Sequence, residues 1–185
     1  MMTRSSPRSW RRRSGRRSAS PSRRLRRGKT PADPLAYLFR LLRYRPRSVA
    51  EVRHRLARQG FSADQVEETI RRAKEAGLLD DRVFAKLWIE DRLLHRPASR
   101  RAIATELIEK GVEREVFEPL LDEAYPPIRE REVALRLASG RYARLKGLEP
   151  ARRARRTADF LMRRGFARSL AIAIVRGLEE GERDD

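Results

Sequence analysis

Leu56-Ala57-Arg58-Gln59-Gly60-Phe61, Leu107-Ile108-Glu109-Lys110-Gly111-Val112 and Leu161-Met162-Arg163-Arg164-Gly165-Phe166 are one word written three times. Each copy places Leu four residues before a Gly and an apolar residue directly after it. The glycines lie 51 and then 54 residues apart, and an apolar anchor follows each by ten residues: Ile70, Leu121 and Val175. Gly tolerates the left-handed backbone that ends one helix, and the next residue can then drop its side chain between two helices. A single copy says little, but three near one period predict a tandem array of helical units.

The flanking sequence is helical in the same sense. Leu35, Leu38, Phe39 and Leu42 fall at i, i+3, i+4 and i+7, one stripe of an amphipathic helix. Val49, Val52 and Leu56 make the next stripe, and Val66, Ile70 and Ala73 a third. Ser48 with Glu51, and Ser62 with Gln65, have capping-box spacing. Alternating strand-like runs are missing, and Pro46, Pro97, Pro126-Pro127 and Pro150 mark connections or first turns. The expected fold is all-α: about nine helices in three helix-turn-helix-like repeats, at 33–80, 81–127 and 128–185, forming an elongated array. Such arrays offer long surfaces to partners larger than a small molecule.

Charge divides the chain differently. Its 185 residues carry 45 Lys and Arg against 26 Asp and Glu, a net +19, and 40 of the cations are Arg. Residues 1–32 hold twelve cations and no acid, leaving +7 for the rest. With only Met1, Met2, Trp10 and Leu25 as large apolar residues, this Arg/Ser-rich tail is expected to be disordered. It reads either as a polyanion-binding arm or as a solubilising tail, whose true start could lie downstream. A secretory signal needs an apolar run after the arginines, and none follows; a transit peptide should be amphipathic. The three repeats carry +3, −2 and +6 in order.

Several chemistries are excluded or left without support. Zero Cys removes disulfides and thiolate zinc sites, and His54 and His95 are too few for a histidine metal centre. Phosphate-loop and dinucleotide glycine motifs are missing, as is any paired-carboxylate constellation. No stretch approaches the roughly 20 apolar residues that span a bilayer. A non-enzymatic, cytoplasmic, nucleic-acid-proximal protein without metal or cofactor is expected. Asp80-Asp81 reads as an N-cap rather than a cation site. Glu67/Arg71, Glu68/Arg72 and Glu106/Lys110 stand at the spacing of helix-surface ion pairs.

The basic candidates are two. Arg152, Arg153, Arg155 and Arg156, followed by Arg163 and Arg164, crowd one predicted helix, with Arg152, Arg155 and Arg156 on one face and Thr157, Leu161 and Met162 as a core stripe. Arg43, Arg45 and Arg47 flank Pro46 at a turn. Phosphate contact is the functional reading of both; an ordinary solvated arginine face is the other. Tyr125, Tyr142 and Trp10 could stack on bases, but such platforms need more aromatics than the 6% present.

Tyr44-Arg45-Pro46-Arg47-Ser48-x₂-Glu51-Val52-x₃-Leu56-x₃-Gly60-Phe61 resembles the opening of the RecX family. Gly77-Leu78-Leu79-Asp80-Asp81-x₂-Phe84-Ala85 resembles that family's junction between its first two repeats, and Ile103-x₃-Leu107-x₃-Gly111-Val112 continues the match. The Arg/Ser tail and Ala98-Ser99 depart from the family pattern. The resemblance implies three tandem three-helix repeats that bind the RecA recombinase. It further implies lodging in the groove of RecA–DNA filaments, suppression of ATP hydrolysis and strand exchange, and limited filament growth in DNA repair and the SOS response. Single- and double-stranded DNA would be met weakly or through the filament. The competing reading is an architectural DNA-binding protein that uses helix-turn-helix units and the basic arm.

Overall fold

The structure is a computed structural model that describes residues 33–184; the basic tail and Trp10 lie outside the described residues. Nine α-helices and no strands occur among the described residues. The helices are α1 (Pro34–Leu42), α2 (Val49–Gln59), α3 (Ala63–Glu75), α4 (Asp81–His95), α5 (Arg100–Glu109), α6 (Arg114–Ala124), α7 (Pro127–Ala143), α8 (Pro150–Arg163) and α9 (Arg168–Asp184). They pack in consecutive threes: α1 with α2 and α3, α4 with α5 and α6, α7 with α8 and α9.

The repeated word acts through backbone hydrogen bonds. Gly60, Gly111 and Gly165 all have positive φ, at 95°, 74° and 86°. The amide after each Gly reaches back to the carbonyl of its Leu: Phe61 to Leu56, Val112 to Leu107 and Phe166 to Leu161. The Gly amides bond to Ala57, Ile108 and Met162. This double closure is the Schellman motif, which favours apolar residues at both outer positions because they touch across the turn. Hence the spacing of Leu and the post-Gly residue. Leu56, Leu107 and Leu161 are wholly buried, and the anchors Ile70, Leu121 and Val175 are buried too.

Helix starts follow their caps. The Asp33 side chain accepts from the Leu35 and Ala36 amides, and Asp80 from those of Arg82 and Val83. Ser62 and Gln65 close a full capping box. Ser48 accepts from the Glu51 amide, but the Glu51 carboxylate does not return the bond, because it is engaged by Arg45 and Lys110.

Hydrophobic burial falls into two clusters. Tyr37, Leu38, Val52, Leu56, Val66 and Ile70 belong to one, confined to α1–α3 and Leu79. The other runs without a break from Phe84 through Leu107, Phe117 and Leu161 to Ile174, and so spans the second and third repeats.

Candidate nucleic-acid and partner interface

The predicted basic helix is α8. Arg152, Arg155, Arg156 and Arg163 are exposed, and none has a carboxylate within ion-pair distance among the described residues. At 100° per residue Arg152, Arg156 and Arg163 share one line of the helix, with Arg155 beside it. Glu149 caps the helix by accepting from the Arg152 amide, and Asp159 is the single acid within it.

Arg153 does not stand with them. Its side chain turns inward and is 6% exposed. There Nε donates to the Tyr142 carbonyl at 2.9 Å, Nη1 donates to both Glu182 carboxylate oxygens, and the guanidinium lies 3.5 Å from the Tyr142 ring centroid. Arg153 falls four residues before Thr157 and eight before Leu161, the buried line of the helix, so its register gave the signal for an inward side chain. Glu182 is held below the usual carboxylate range by this hydrogen bond, against a smaller desolvation effect. Met162, expected in the core stripe, is 36% exposed.

The turn around Pro46 separates its three arginines. Arg43 is exposed, whereas Arg45 is committed to a two-point pair with Glu51 at 2.8 and 2.9 Å. Arg47 is half-buried, with a buried Nε that lacks an acceptor; burial first, and then the Arg45 charge, lower its pKa. Burial alone would raise the Glu51 carboxyl, yet hydrogen bonds from Arg45 and Lys110 hold it at about 2. Of these three arginines only Arg45 is ion-paired among the described residues; Arg47 is packed in and Arg43 stands exposed at the rim. Tyr125 and Tyr142 are buried and unavailable to bases.

Arg164 is also drawn in. Its Nη1 donates to the Pro97 carbonyl at 2.6 Å, and its guanidinium lies over Phe160. Two of the expected helix-surface pairs are rerouted: Glu67 takes Arg53, and Glu106 takes Arg92 and the Trp88 indole. Glu68–Arg72 forms as spaced. Asp80 caps α4, whereas Asp81 reaches across to the α2 amide of Val49 at 2.9 Å. Desolvation raises the Asp81 carboxyl, opposed by that bond. No group of three or more metal-ligating side chains occurs among the described residues, and none of their helices is long and apolar enough to cross a membrane.

Three family patterns match in order: "RecX, first three-helix domain" over residues 35–72, the second over 80–118 and the third over 129–174. "Regulatory protein RecX" of Streptomyces coelicolor is 33% identical over 171 residues, covering 90% of each chain. The protein of the same name from Thermobifida fusca is 34% identical, covering 80% of this chain and 79% of its own. The crystal structure of RecX from Lactobacillus salivarius superposes with a TM-score of 0.66 at 18% identity, over 79% of this chain and 94% of that one, which supports the fold. Three ordered domain matches, relatives matched over most of their length and a shared fold converge: the chain belongs to the RecX family of regulatory proteins.

Proposed function

We propose that this protein binds the RecA recombinase and RecA–DNA filaments and inhibits ATP hydrolysis, strand exchange and filament growth. Family membership supports the regulatory role. The observation that carries the nucleic-acid part is the row Arg152, Arg155, Arg156 and Arg163, exposed on one helix with no ion-pair partner among the described residues. In the first repeat Arg53 is paired with Glu67, Arg71 with Glu68 and Glu75, and Arg72 with Glu68, whereas Arg40, Arg43, Arg55 and Arg58 are exposed without an ion pair among the described residues but do not form a row on one helix. An uncompensated row of guanidiniums suits phosphates, which it would meet bidentately and without regard to sequence. The second repeat, net acidic at −2, is the surface left for the recombinase itself. That charge also argues against an array of DNA-reading helix-turn-helix units, which would be basic throughout. Inhibition is then mechanical: packed helices seated along the filament oppose the subunit motions of ATP turnover.

The test is titration of the full chain into a RecA ATPase assay on single-stranded DNA. Inhibition at substoichiometric protein is expected, persisting without residues 1–32 and weakened when Arg152, Arg155, Arg156 and Arg163 are all changed to Gln. Turnover unaffected at equimolar protein contradicts the reading.

A further inference from the structure

Beside the exposed row, α8 carries a second arginine arrangement of a different kind. The Phe160 ring is approached by two guanidiniums, Arg164 at 4.8 Å and Arg141 of α7 at 5.7 Å from its centroid. Neither has a carboxylate within ion-pair distance among the described residues, a condition they share with most of the described arginines. The Arg141 Nε is buried and has no hydrogen-bond acceptor. Arg164 uses Nη1 on the Pro97 carbonyl, which leaves its remaining N–H groups unassigned.

Two cations gathered at one ring without an anion repel each other. A cation–π contact returns only about 0.5–1 kcal/mol at such partly exposed sites. What the ring does supply is orientation. A guanidinium held against an aromatic face has its planar fork fixed before any ligand arrives, so less entropy is lost when it binds. The missing component is an anion with several acceptor oxygens.

We propose that Arg141 and Arg164, braced by Phe160, form a clamp for a phosphodiester of the nucleic-acid strand that runs along α8. This rests on the phosphate-facing role of α8 given above and extends it to a residue on another helix. Position selects nucleic acid over other anions: Phe160 follows Arg156 on α8 and Arg164 caps its end directly after Arg163, so a strand tracking the exposed row reaches the clamp next. The clamp reads backbone, not base, because cations already occupy the ring that a base would need.

The test uses the full chain and a fluorescent oligothymidylate, with anisotropy followed over a salt series. Arg141→Gln is compared with Arg131→Gln, an equal charge loss at an exposed position of α7. Arg141→Gln should weaken binding several-fold more than Arg131→Gln, and should flatten the slope of log K against log salt by about 0.7 for the lost phosphate contact. Equal effects of the two variants overturn the clamp, as does a fall in melting temperature with the slope unchanged. If Arg141→Gln leaves DNA binding intact but weakens capture of RecA in the absence of DNA, the site takes a protein carboxylate and the proposal fails. Should Arg141→Gln not fold, Arg141→Lys keeps the charge and stem but loses the planar fork. Weaker DNA binding at unchanged stability then supports the clamp, and unchanged binding removes it. These outcomes are separate from recombinase turnover, so a chain that leaves RecA untouched yet shows the slope change refutes the regulator and keeps the clamp.

Discussion

The seam between the first and second repeats and the seam between the second and third begin from the same device and end differently. In both, the N-cap Ser of one repeat's middle helix sits on the Gly turn of the next repeat. Ser48 Oγ donates to the Lys110 carbonyl at 2.6 Å, and the Ser99 amide donates to the Arg164 carbonyl at 2.9 Å. Lys110 and Arg164 each directly precede the turn glycine. A Cβ on Gly111 would lie 2.3 Å from the Ala50 Cβ, and one on Gly165 would lie 2.6 Å from Ser99 Oγ and 2.8 Å from the Ala102 Cβ. Among the described residues, a Cβ on Gly60 would meet nothing within 4 Å. Thus the repeated glycine has one duty in the first repeat and two in the others.

Around that shared contact the seams part ways. The second and third repeats share one hydrophobic cluster and add the Arg100 amide to Glu130 and Arg164 Nη1 to the Pro97 carbonyl. The first repeat keeps its own cluster and is joined by polar links: Asp81 to the Val49 amide, and Glu51 to Lys110. Clefts open on both seams, so they do not separate them: one of about 410 Å³ lined by Val49, Lys74, Asp81 and Glu113 among others lies on the first, and one of about 520 Å³ lined by Arg101, Glu118, Glu130 and Gly165 among others on the second. Apolar burial makes neighbouring repeats unfold together; polar links between separate cores let one open alone. The second and third repeats therefore form one cooperative body that carries α8, and the first is attached to it.

The largest effects come from the cores. Leu107→Ala should cost about 2–5 kcal/mol and destabilise helices of the second and third repeats together, whereas Leu56→Ala, at similar cost, should act on α1–α3 alone. Peptide-resolved hydrogen exchange separates them, and loss of protection throughout α4–α9 in Leu56→Ala would erase the distinction. Next come the glycines. Gly60→Ala should cost about 1–2 kcal/mol for its left-handed backbone. Gly111→Ala and Gly165→Ala should add about 1–3 kcal/mol of overpacking, read by urea denaturation.

Smaller still is Asp81→Ala, which strips the acceptor from the Val49 amide. About 1 kcal/mol is expected, with faster exchange at the start of α2 and little change at α7–α9.

The smallest effect is on pH. The Glu51 carboxyl titrates at about 2 when folded against an ordinary 4.5, so its stabilisation is complete above the ordinary value and is lost as pH falls toward 2. Asp81 has the opposite sign, since its raised pKa makes protonation favour the folded form. Acid should therefore loosen the first seam only as Glu51 takes its proton, with Arg45 and Lys110 then left unpaired. Exchange at α2 followed against pH checks this, and loosening already complete at pH 4.5 would contradict it.

What could be read from the sequence is what is local. The Leu-x₃-Gly-apolar word is a hydrogen-bonding motif within six residues, and caps such as Ser62 with Gln65 close within four, so both are visible in the chain. The seams are not, because Ser48 and Lys110 are 62 positions apart and nothing in either neighbourhood names the other. The same reason misplaces part of the site. Arg152 and Arg153 are adjacent and identical in type; register sets Arg153 on the buried Thr157–Leu161 line, but its partners Tyr142 and Glu182 are 11 and 29 positions away and nothing local names them. Arg141 sits outside the arginine-dense run and is found only through Phe160.

Electron cryo-microscopy of RecA–single-stranded DNA filaments saturated with the full chain tests the central claim most directly. The account predicts density for the three repeats along the filament groove, with the second and third repeats arranged as in the free chain and the Arg152–Arg163 face of α8 turned toward the nucleic acid. Filaments without such density, or with α8 facing solvent, would contradict it.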